Sequence, residues 1–500
     1  MQDTGSLAPF TTRVPTGITG ADAILRGGLF RGGSYLITGE PGNGKTIFAN
    51  QLAFHTVAQG GRVVYVTLLT ETHDQLIAQV RALEFFDPEA LGQNLLYLSG
   101  TKTLLESGMD GLRTLLRDVV RDHHATLLVI DRLTPAETVA SSELAFEQFI
   151  REFQAFVSAR GCTTVILTGH VYGEHVAAWG TLVDGVIRLS DELMEHRAVR
   201  FLEVQKFRGS DHLRGRHTFE ITQRGIEVYP RMEALYTVPT VAESEHVARL
   251  RTGVPKLDTL LHGGLVTGST TLLLGPAGCG KTSLGLAFLA EGANAEEPGL
   301  YFGFYERPMR LLRKADQIGV PLRQAVDAEQ VVIRWQPPLE DYLDRLLADL
   351  LAEVRRCGVR RLFIDGLDGL STAAIYPNRL RPAFTALVNE LRALEVTVLF
   401  SLDLPEMISS SVSIPANGIS AISDNLIVVR SVEAGPKVRQ VLEVMKVRDS
   451  DYDSTIHNFI ISAQGIELTL PEDGEEPSAK SREPRTKNQE PRTKNLEPRT

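Results

Sequence analysis

Eight residues, Gly39-Glu40-Pro41-Gly42-Asn43-Gly44-Lys45-Thr46, fit the pattern Gly-x-x-x-x-Gly-Lys-Ser/Thr at every constrained position. They stand between an apolar run, Tyr35 to Thr38, and a segment of helical character. The pattern demands a strand, a glycine turn whose N–H groups converge on phosphate oxygens, and a helix whose N-terminus adds positive potential. In such a cradle Lys45 reaches the outer phosphates and the Thr46 hydroxyl binds Mg2+. The pattern returns as Gly275-Pro276-Ala277-Gly278-Cys279-Gly280-Lys281-Thr282, with Ser283 next, after the apolar run Thr271 to Leu274. A chance glycine-rich turn accounts for one match more readily than for two. The residues expected to hold nucleotide are therefore Gly42, Asn43, Gly44, Lys45 and Thr46, and then Gly278, Cys279, Gly280, Lys281, Thr282 and Ser283.

The repetition extends beyond the cradles. Thr16-Gly17-Ile18, Asp22, Leu25, Gly27-Gly28-Leu29 and Gly32 recur as Thr252-Gly253-Val254, Asp258, Leu261, Gly263-Gly264-Leu265 and Gly268. Lys281 against Lys45 and Gly253 against Gly17 both give an offset of 236, so the segments align without a gap and the chain is a tandem duplication. Its 500 residues suit two domains better than one. The boundaries expected are a tail over 1–12, a first domain over 13–230, a linker over 231–250, a second domain over 251–470 and a tail over 471–500.

Each half alternates strand-like and helix-like runs. In the first these are 62–69, 74–83, 95–98, 110–122, 127–130, 142–159 and 163–168, which predicts βα units around a mostly parallel sheet. Leu127-Leu128-Val129-Ile130 and Arg361-Leu362-Phe363-Ile364 lack alternation, as strands buried on both faces do. Both runs end in an acid, Asp131 and Asp365, about 85 residues after their cradles, where a carboxylate can hold Mg2+ beside the phosphates. An Asp ending a strand also serves as a helix N-cap. Each half closes with antiparallel-looking runs, 198–206 with 217–229 and 440–446 with 457–468, which include Lys206-Phe207-Arg208 and Lys446-Val447-Arg448. Cations at i and i+2 leave a strand end on one face.

With 43% apolar residues the chain can bury sizeable cores, and no run nears the ~20 apolar residues a bilayer span needs. No membrane association is expected, and the N-terminus shows no secretory pattern, so a cytoplasmic location is expected. Cys162, Cys279 and Cys357 are too few and too scattered for a disulfide framework. A net charge of −10 argues against nucleic acid as the main partner. The tail repeats Glu-Pro-Arg-Thr every seven residues from Glu483, with proline and no apolar seam, so disorder is expected there and a coiled coil is not.

These residues resemble the tandem-domain KaiC family, circadian-clock ATPases of the RecA superfamily, over nearly all of 13–468. The likeness includes Leu202-Glu203-Val204-Gln205-Lys206-Phe207-Arg208-Gly209-Ser210 with Gly225-Ile226, and Val444-Met445-Lys446-Val447-Arg448 with Gly465-Ile466. It implies an α/β fold of two tandem RecA-like P-loop ATPase domains. Each would be a mostly parallel sheet flanked by helices, with an antiparallel C-terminal section. It also implies ATP and Mg2+ as ligands, the latter on Thr46, Asp131, Thr282 and Asp365, and signalling or clock proteins as partners. It implies a homo-oligomer, a hexameric double ring, in which Lys206 and Arg208, and likewise Lys446 and Arg448, reach a neighbour's nucleotide. Lys45 and Lys281 would then act on the phosphates during turnover.

The departures from the family bear on catalysis. Hydrolysis there uses a Glu-Glu pair after the second strand. With Tyr65 set against Tyr301, the first half has Leu69-Thr70 at that place, with Glu71 one residue on as the substitute. The second half has Tyr305-Glu306, keeping one acid, which predicts weak turnover centred on Glu306. An acid near a helix start is also favoured by the helix dipole alone. The family's second domain phosphorylates itself on adjacent Ser and Thr. Here Ser420 falls on the first position, Ala421 removes the second, and Ser423 is an alternative acceptor. The leading expectation is a slow ATPase with serine autokinase activity. An ATP-held scaffold with little catalysis and a RecA-type DNA-handling motor are the other two.

Overall fold

The structure is a computed structural model. It describes residues 12–68, 73–169, 180–194, 196–237, 248–337, 339–404, 419–434, 437–448 and 450–471. Leu69, Thr70 and Glu71, the linker residues 238–247 and the repeat-bearing tail fall outside that set.

The strands, in chain order, are β1 (Arg13–Val14), β2 (Leu29–Phe30), β3 (Ser34–Thr38), β4 (Val63–Thr67), β5 (Leu95–Ser99), β6 (Leu127–Asp131), β7 (Thr163–Thr168), β8 (Gly185–Met194), β9 (Arg197–Phe207), β10 (Arg216–Thr222) and β11 (Gly225–Tyr229). The second repeat supplies β12 (Arg249–Leu250), β13 (Leu265–Val266), β14 (Thr270–Gly275), β15 (Gly299–Gly303), β16 (Val331–Trp335), β17 (Arg361–Asp365), β18 (Thr397–Asp403), β19 (Asn425–Ala434), β20 (Lys437–Val447), β21 (His457–Ser462) and β22 (Gly465–Thr469).

Two nine-stranded sheets result, ordered β11-β10-β9-β8-β3-β7-β6-β4-β5 and β16-β15-β17-β18-β14-β19-β20-β21-β22. Read from opposite ends, the two orders match strand for strand. In each, six strands run parallel and the last three add antiparallel, through pairs such as β8 with β9 and β19 with β20. This is the mostly parallel α/β arrangement that the alternating runs predict and the tandem RecA-like architecture that the resemblance implies.

The reason for the missing alternation is visible in the first sheet. Tyr35, Ile37, Leu127 and Val129 belong to one buried cluster, while Leu36, Leu128 and Ile130 belong to another. Successive side chains point to opposite faces, and a core covers each face. The repeat signature has its own geometry: Thr16 Oγ1 donates to Asp22 Oδ1 over 2.8 Å and Thr252 Oγ1 to Asp258 Oδ1 over 2.8 Å.

Two expected segments differ from observation. The helix expected over 110–122 starts at Thr101 and is broken at Gly108, where φ 64 and ψ −155 interrupt it. Gly108 and Gly111 are poor helix formers, which hid the first turns. The expected linker is structured at both ends: Met232–Leu235 is a helix with Met232 2% exposed, and Arg249–Leu250 pairs with β13. Backbone contacts gather the described residues of Met1–Glu243 with those of Pro338–Gly358 and Gly369–Leu394 into one compact unit, and those of Ser244–Pro337, Val359–Asp368 and Glu395–Thr500 into the other. Within the first unit Arg379 binds Glu233 at 2.9 Å and Asp344 at 2.8 Å, and Asp344 accepts the Met232 N–H.

Candidate nucleotide sites

Each cradle follows the strand that sits between the parallel run and the return strand, β3 in one sheet and β14 in the other. Ligands of open α/β sheets bind at the carboxyl ends of such strands. Gly42 and Gly278 adopt φ 89 and φ 80, and a β-carbon added at either would meet nothing within 4 Å, so each loop keeps an open concave side. Gly44 and Gly280, at φ 91 and φ 101, lead into helices Lys45–Ala58 and Lys281–Asn294. Neither helix has a side-chain cap or an acid in its first turn, so its leading N–H groups face an anion site.

The lysines of the two loops fold onto them. Lys45 Nζ donates to Gly39 O over 2.7 Å and Glu40 O over 2.8 Å. Lys281 Nζ donates to Gly275 O and Pro276 O, each over 2.8 Å, and pairs with Asp403 Oδ1 at 2.7 Å. Asn43 Nδ2 ties the first loop to Leu189 O at 3.1 Å, and Cys279 Sγ lies 3.8 Å from Lys281 Nζ in the second. Burial pushes the Cys279 thiol up, against the pull of Lys281, so it packs as a thiol.

The strand-end acids are not helix caps. Asp131 is 4% exposed and accepts the Tyr65 hydroxyl at 2.8 Å, while the next helix, Thr134–Val139, is preceded by Leu133 without a side-chain cap. Asp365 is held by three hydroxyls: Thr282 and Tyr301 donate to Oδ2 over 2.9 Å each, and Ser401 donates to Oδ1 over 2.7 Å. Ser401 Oγ also accepts the Gly366 N–H at 2.8 Å. Burial, then the adjacent carboxylate, pushes the Tyr65 and Tyr301 hydroxyls well above their ordinary range, so both stay protonated donors. A threonine hydroxyl against a carboxylate is the hard-oxygen pair that suits Mg2+, which takes one or two protein ligands and completes its shell with phosphate and water. The Thr282–Asp365 pair fits that ion.

A cavity of about 500 Å³ opens at the second cradle, lined by Gly278, Lys281, Thr282, Tyr305, Glu306, Lys314, Asp365, Asp368, Ser401 and Asp403. Glu306 pairs there with Lys314 and stands just before Arg307, the N-cap of the helix Pro308–Gln317. Tyr305 takes the place of the first family acid with 60% of its surface exposed. Burial and then Asp403 push the Asp368 carboxyl above its usual range.

The first cradle differs. By strand register, Leu167 stands where Ser401 does, opposite Ile37 as Ser401 is opposite Leu273. Continuing that register, Gly169 stands where Asp403 does. Glu71, the expected substitute base, lies outside the described residues.

Lys206, Arg208, Lys446 and Arg448 lie away from their own cradles. Lys206 Nζ donates to Val183 O over 2.6 Å and also to Gly180 O, and Arg208 donates to Thr181 O over 3.0 Å. Asp184, in that segment, accepts the Ser34 N–H at the amino end of β3, whereas the cradle leaves its carboxyl end. The second pair repeats this: Lys446 Nζ reaches Ser423 O over 2.7 Å and Ser420 O over 3.3 Å, and Arg448 reaches Ala421 O over 3.1 Å. Burial, then the neighbouring arginine, holds both ammonium groups below the usual lysine range. Ser420 is half-buried on the short helix Ile419–Ile422. Ser423, the alternative acceptor, is 0% exposed.

Tyr301, Ser401, Asp403, Asp368 and Lys314 escaped the sequence reading as members of the site. Asp403 had a usable signal: it ends an apolar strand-like run, as Asp131 and Asp365 do.

Among the described residues no helix is long and apolar enough to cross a membrane. A family model described as "ATPase: KaiC" matches residues 14–233 and again 250–473. The protein called "Circadian clock oscillator protein KaiC" from Synechococcus elongatus is 27% identical over 470 residues, covering 91% of this chain and 89% of the relative. Its namesake from Prochlorococcus marinus is 26% identical over 468 residues, covering 91% and 90%. Two cradles, each at the switch point of its own RecA-like sheet, and a family match spanning both repeats lead to one assignment: this chain is a nucleotide-binding member of the KaiC family of ATPases.

Proposed function

We propose that the chain is a slow, Mg2+-dependent ATPase of the cytoplasm that works as a hexameric timing or signalling ring. In this reading its two ATPase domains span 13–230 and 251–470. The second site carries most of the turnover, and the first holds ATP mainly for assembly. The observation that carries the proposal is the second cavity, where Lys281, Thr282, Asp365 and Glu306 converge. Lys281 would bind the outer phosphates, Thr282 and Asp365 would hold Mg2+, and Glu306 would accept a proton from the attacking water. When bound, the metal neutralises phosphate charge. Release of Glu306 from Lys314 frees the carboxylate for that role.

The placement of the Lys-x-Arg pairs supports the ring. Five residues of β3, roughly 16 Å of strand, separate the amino-end segment held by Lys206 and Arg208 from the cradle at the other end. In this reading those cations meet nucleotide on another subunit, where they would act as an arginine finger does. We further propose that Ser420 is a single autophosphorylation site. Its carbonyl is held by Lys446, so a phosphate there alters a cation-rich subunit edge.

Measuring ATP turnover and particle size with and without ATP tests the division of labour. Lys281→Ala should lose most turnover yet still assemble with ATP, whereas Lys45→Ala should fail to assemble. An oligomer indifferent to both ATP and Lys45→Ala, or turnover that survives Lys281→Ala, refutes it.

A further inference from the structure

Seven non-glycine residues among those described have positive φ. Six of them, Arg26, His124, His262, Glu296, Glu329 and Glu395, directly follow the C-cap of a helix, where a left-handed residue closes the last turn. Arg132, at φ 61, does not. It follows a strand, immediately after Asp131. A long side chain held in the left-handed region costs on the order of 1 kcal/mol, and such residues gather at functional sites.

The second repeat shows what the turn itself needs. Asp131 pairs with Thr67 as Asp365 pairs with Gly303, so the counterpart of Arg132 is Gly366, at φ 93. Glycine meets the backbone requirement there without strain. A β-carbon on Gly366 would come 2.8 Å from the Tyr305 ring, so that ring occupies the space a side chain would use. The first repeat keeps the same turn but carries a guanidinium on it, with the backbone anchored by the Arg132 N–H to Leu167 O at 3.1 Å.

Arg132 is exposed, and among the described residues its side chain makes no hydrogen bond or ion pair. Its counterpart Gly366 lines the second cavity together with Lys281 and Asp365, so by the same register the turn that carries Arg132 stands beside Lys45 at the first cradle. Two neighbouring cations at a cradle repel until an anion joins them. The second cradle instead gathers Asp368 and Asp403 around its lysine.

We propose that Arg132 is a phosphate-binding residue of the first site, adding to Lys45 a second cation for the terminal phosphate of a bound nucleoside triphosphate. This rests on the reading of the first cradle as an ATP site. Asp131, the expected metal-side acid, lies on the side of the outer phosphates, so Arg132 beside it distinguishes a triphosphate from a diphosphate. The first site is thereby selective for ATP over ADP, as a site that holds an assembly together while nucleotide is intact should be.

The test uses the full chain carrying Lys281→Ala, so that only the first site reports, with fluorescent ATP and ADP analogues and Mg2+. Arg132→Gly suits the backbone and matches the other repeat, so it preserves the fold. It should weaken ATP binding about 10- to 100-fold, the range for one hydrogen bond to a charged group, and ADP binding less than about threefold. Arg132→Lys should recover part of the ATP affinity. Equal losses for both nucleotides, or no loss, overturn the proposal. Absence of all binding to the Lys281→Ala chain, unchanged by adding Lys45→Ala, overturns the ATP-site reading together with it.

Discussion

Replacing Ser401 by alanine removes two interactions at once, because its hydroxyl donates to Asp365 Oδ1 at 2.7 Å and accepts the Gly366 N–H at 2.8 Å. The first is a bond to a carboxylate, worth about 1.5–3 kcal/mol, and the second leaves an N–H without its partner, at about 1 kcal/mol or more. Asp365 keeps Thr282 and Tyr301, so the carboxylate is not stranded, and the adjoining cavity admits water to replace part of what is lost. A net loss of about 2 kcal/mol for the unit holding the second sheet is expected, read as a shift in its denaturant transition without nucleotide. The same change loosens the expected metal-side carboxylate. Outer partners of that kind are worth 10- to 100-fold in metal affinity, so the Mg2+ concentration needed for nucleotide binding should rise about tenfold. Both are read as differences from a Lys45→Ala parent, unassembled in the proposed reading, so that only the second site of a single chain reports. Ser401→Thr retains the hydroxyl and should restore both. An unchanged transition and an unchanged Mg2+ requirement in Ser401→Ala would refute the claim that this hydroxyl positions Asp365.

Three further outcomes are expected. Glu306→Gln should lower turnover by about 10² or more while nucleotide still binds, the size typical of a lost general base; steady-state hydrolysis beside a binding titration decides it. Incubation with Mg-ATP should label Ser420 alone, and phosphopeptide mapping of wild type and Ser420→Ala checks this, with undiminished labelling in the variant counting against the site. His217 is buried with Nδ1 accepting the Arg231 N–H at 3.0 Å and Nε2 facing Leu213 O at 3.1 Å, and burial, with Arg231 and Arg379 outweighing Glu233, pushes it down to about 4. It stays neutral in the folded state while the unfolded chain takes up a proton near pH 6.5. Stability of the first unit should therefore fall as pH drops from about 6.5 to 4, by up to about 3 kcal/mol. His217→Asn should flatten that slope in acid unfolding, whatever it does to stability at pH 7.

The cradles were legible in sequence because their chemistry is local: a strand, four residues that must turn back on themselves, and a helix start are contiguous in the chain. The strand-end acids were nearly as plain, since β6 and β17 are buried strands and an acid after three or four apolar residues stands out. Ser401 and Asp403 were not legible as site residues. Their place depends on β18 lying beside β14, with Leu273 opposite Ser401 and Gly275 opposite Asp403, a register set by residues more than 120 positions apart. The reading of Lys206 and Arg208 as one-faced strand-end cations holds, but their carbonyl partners at 180–183 come from another part of the chain and no local pattern announces them. Gly108 hid two turns of helix for the opposite reason, a local signal that misrepresents a segment tertiary packing keeps helical on both sides.

The comparison of the two repeats carries the functional argument further than either does alone. Duplication gives each half the same sheet order, cradle and strand-end acid, so whatever differs between them at the same register position is not required by the fold. Three of those differences fall on the nucleotide side: Leu167 against Ser401, Gly169 against Asp403, Arg132 against Gly366. The second half has placed hydroxyls and carboxylates around its metal-side acid, and the first has a second cation at the same strand end. Carboxylates and hydroxyls organise a metal and a water, which turnover needs. A cation added beside a lysine deepens the well for a bound phosphate without supplying a base. In the proposed reading, a site built the second way retains its ligand and one built the first way can spend it, which is the division of labour that Lys45→Ala and Lys281→Ala are set to separate.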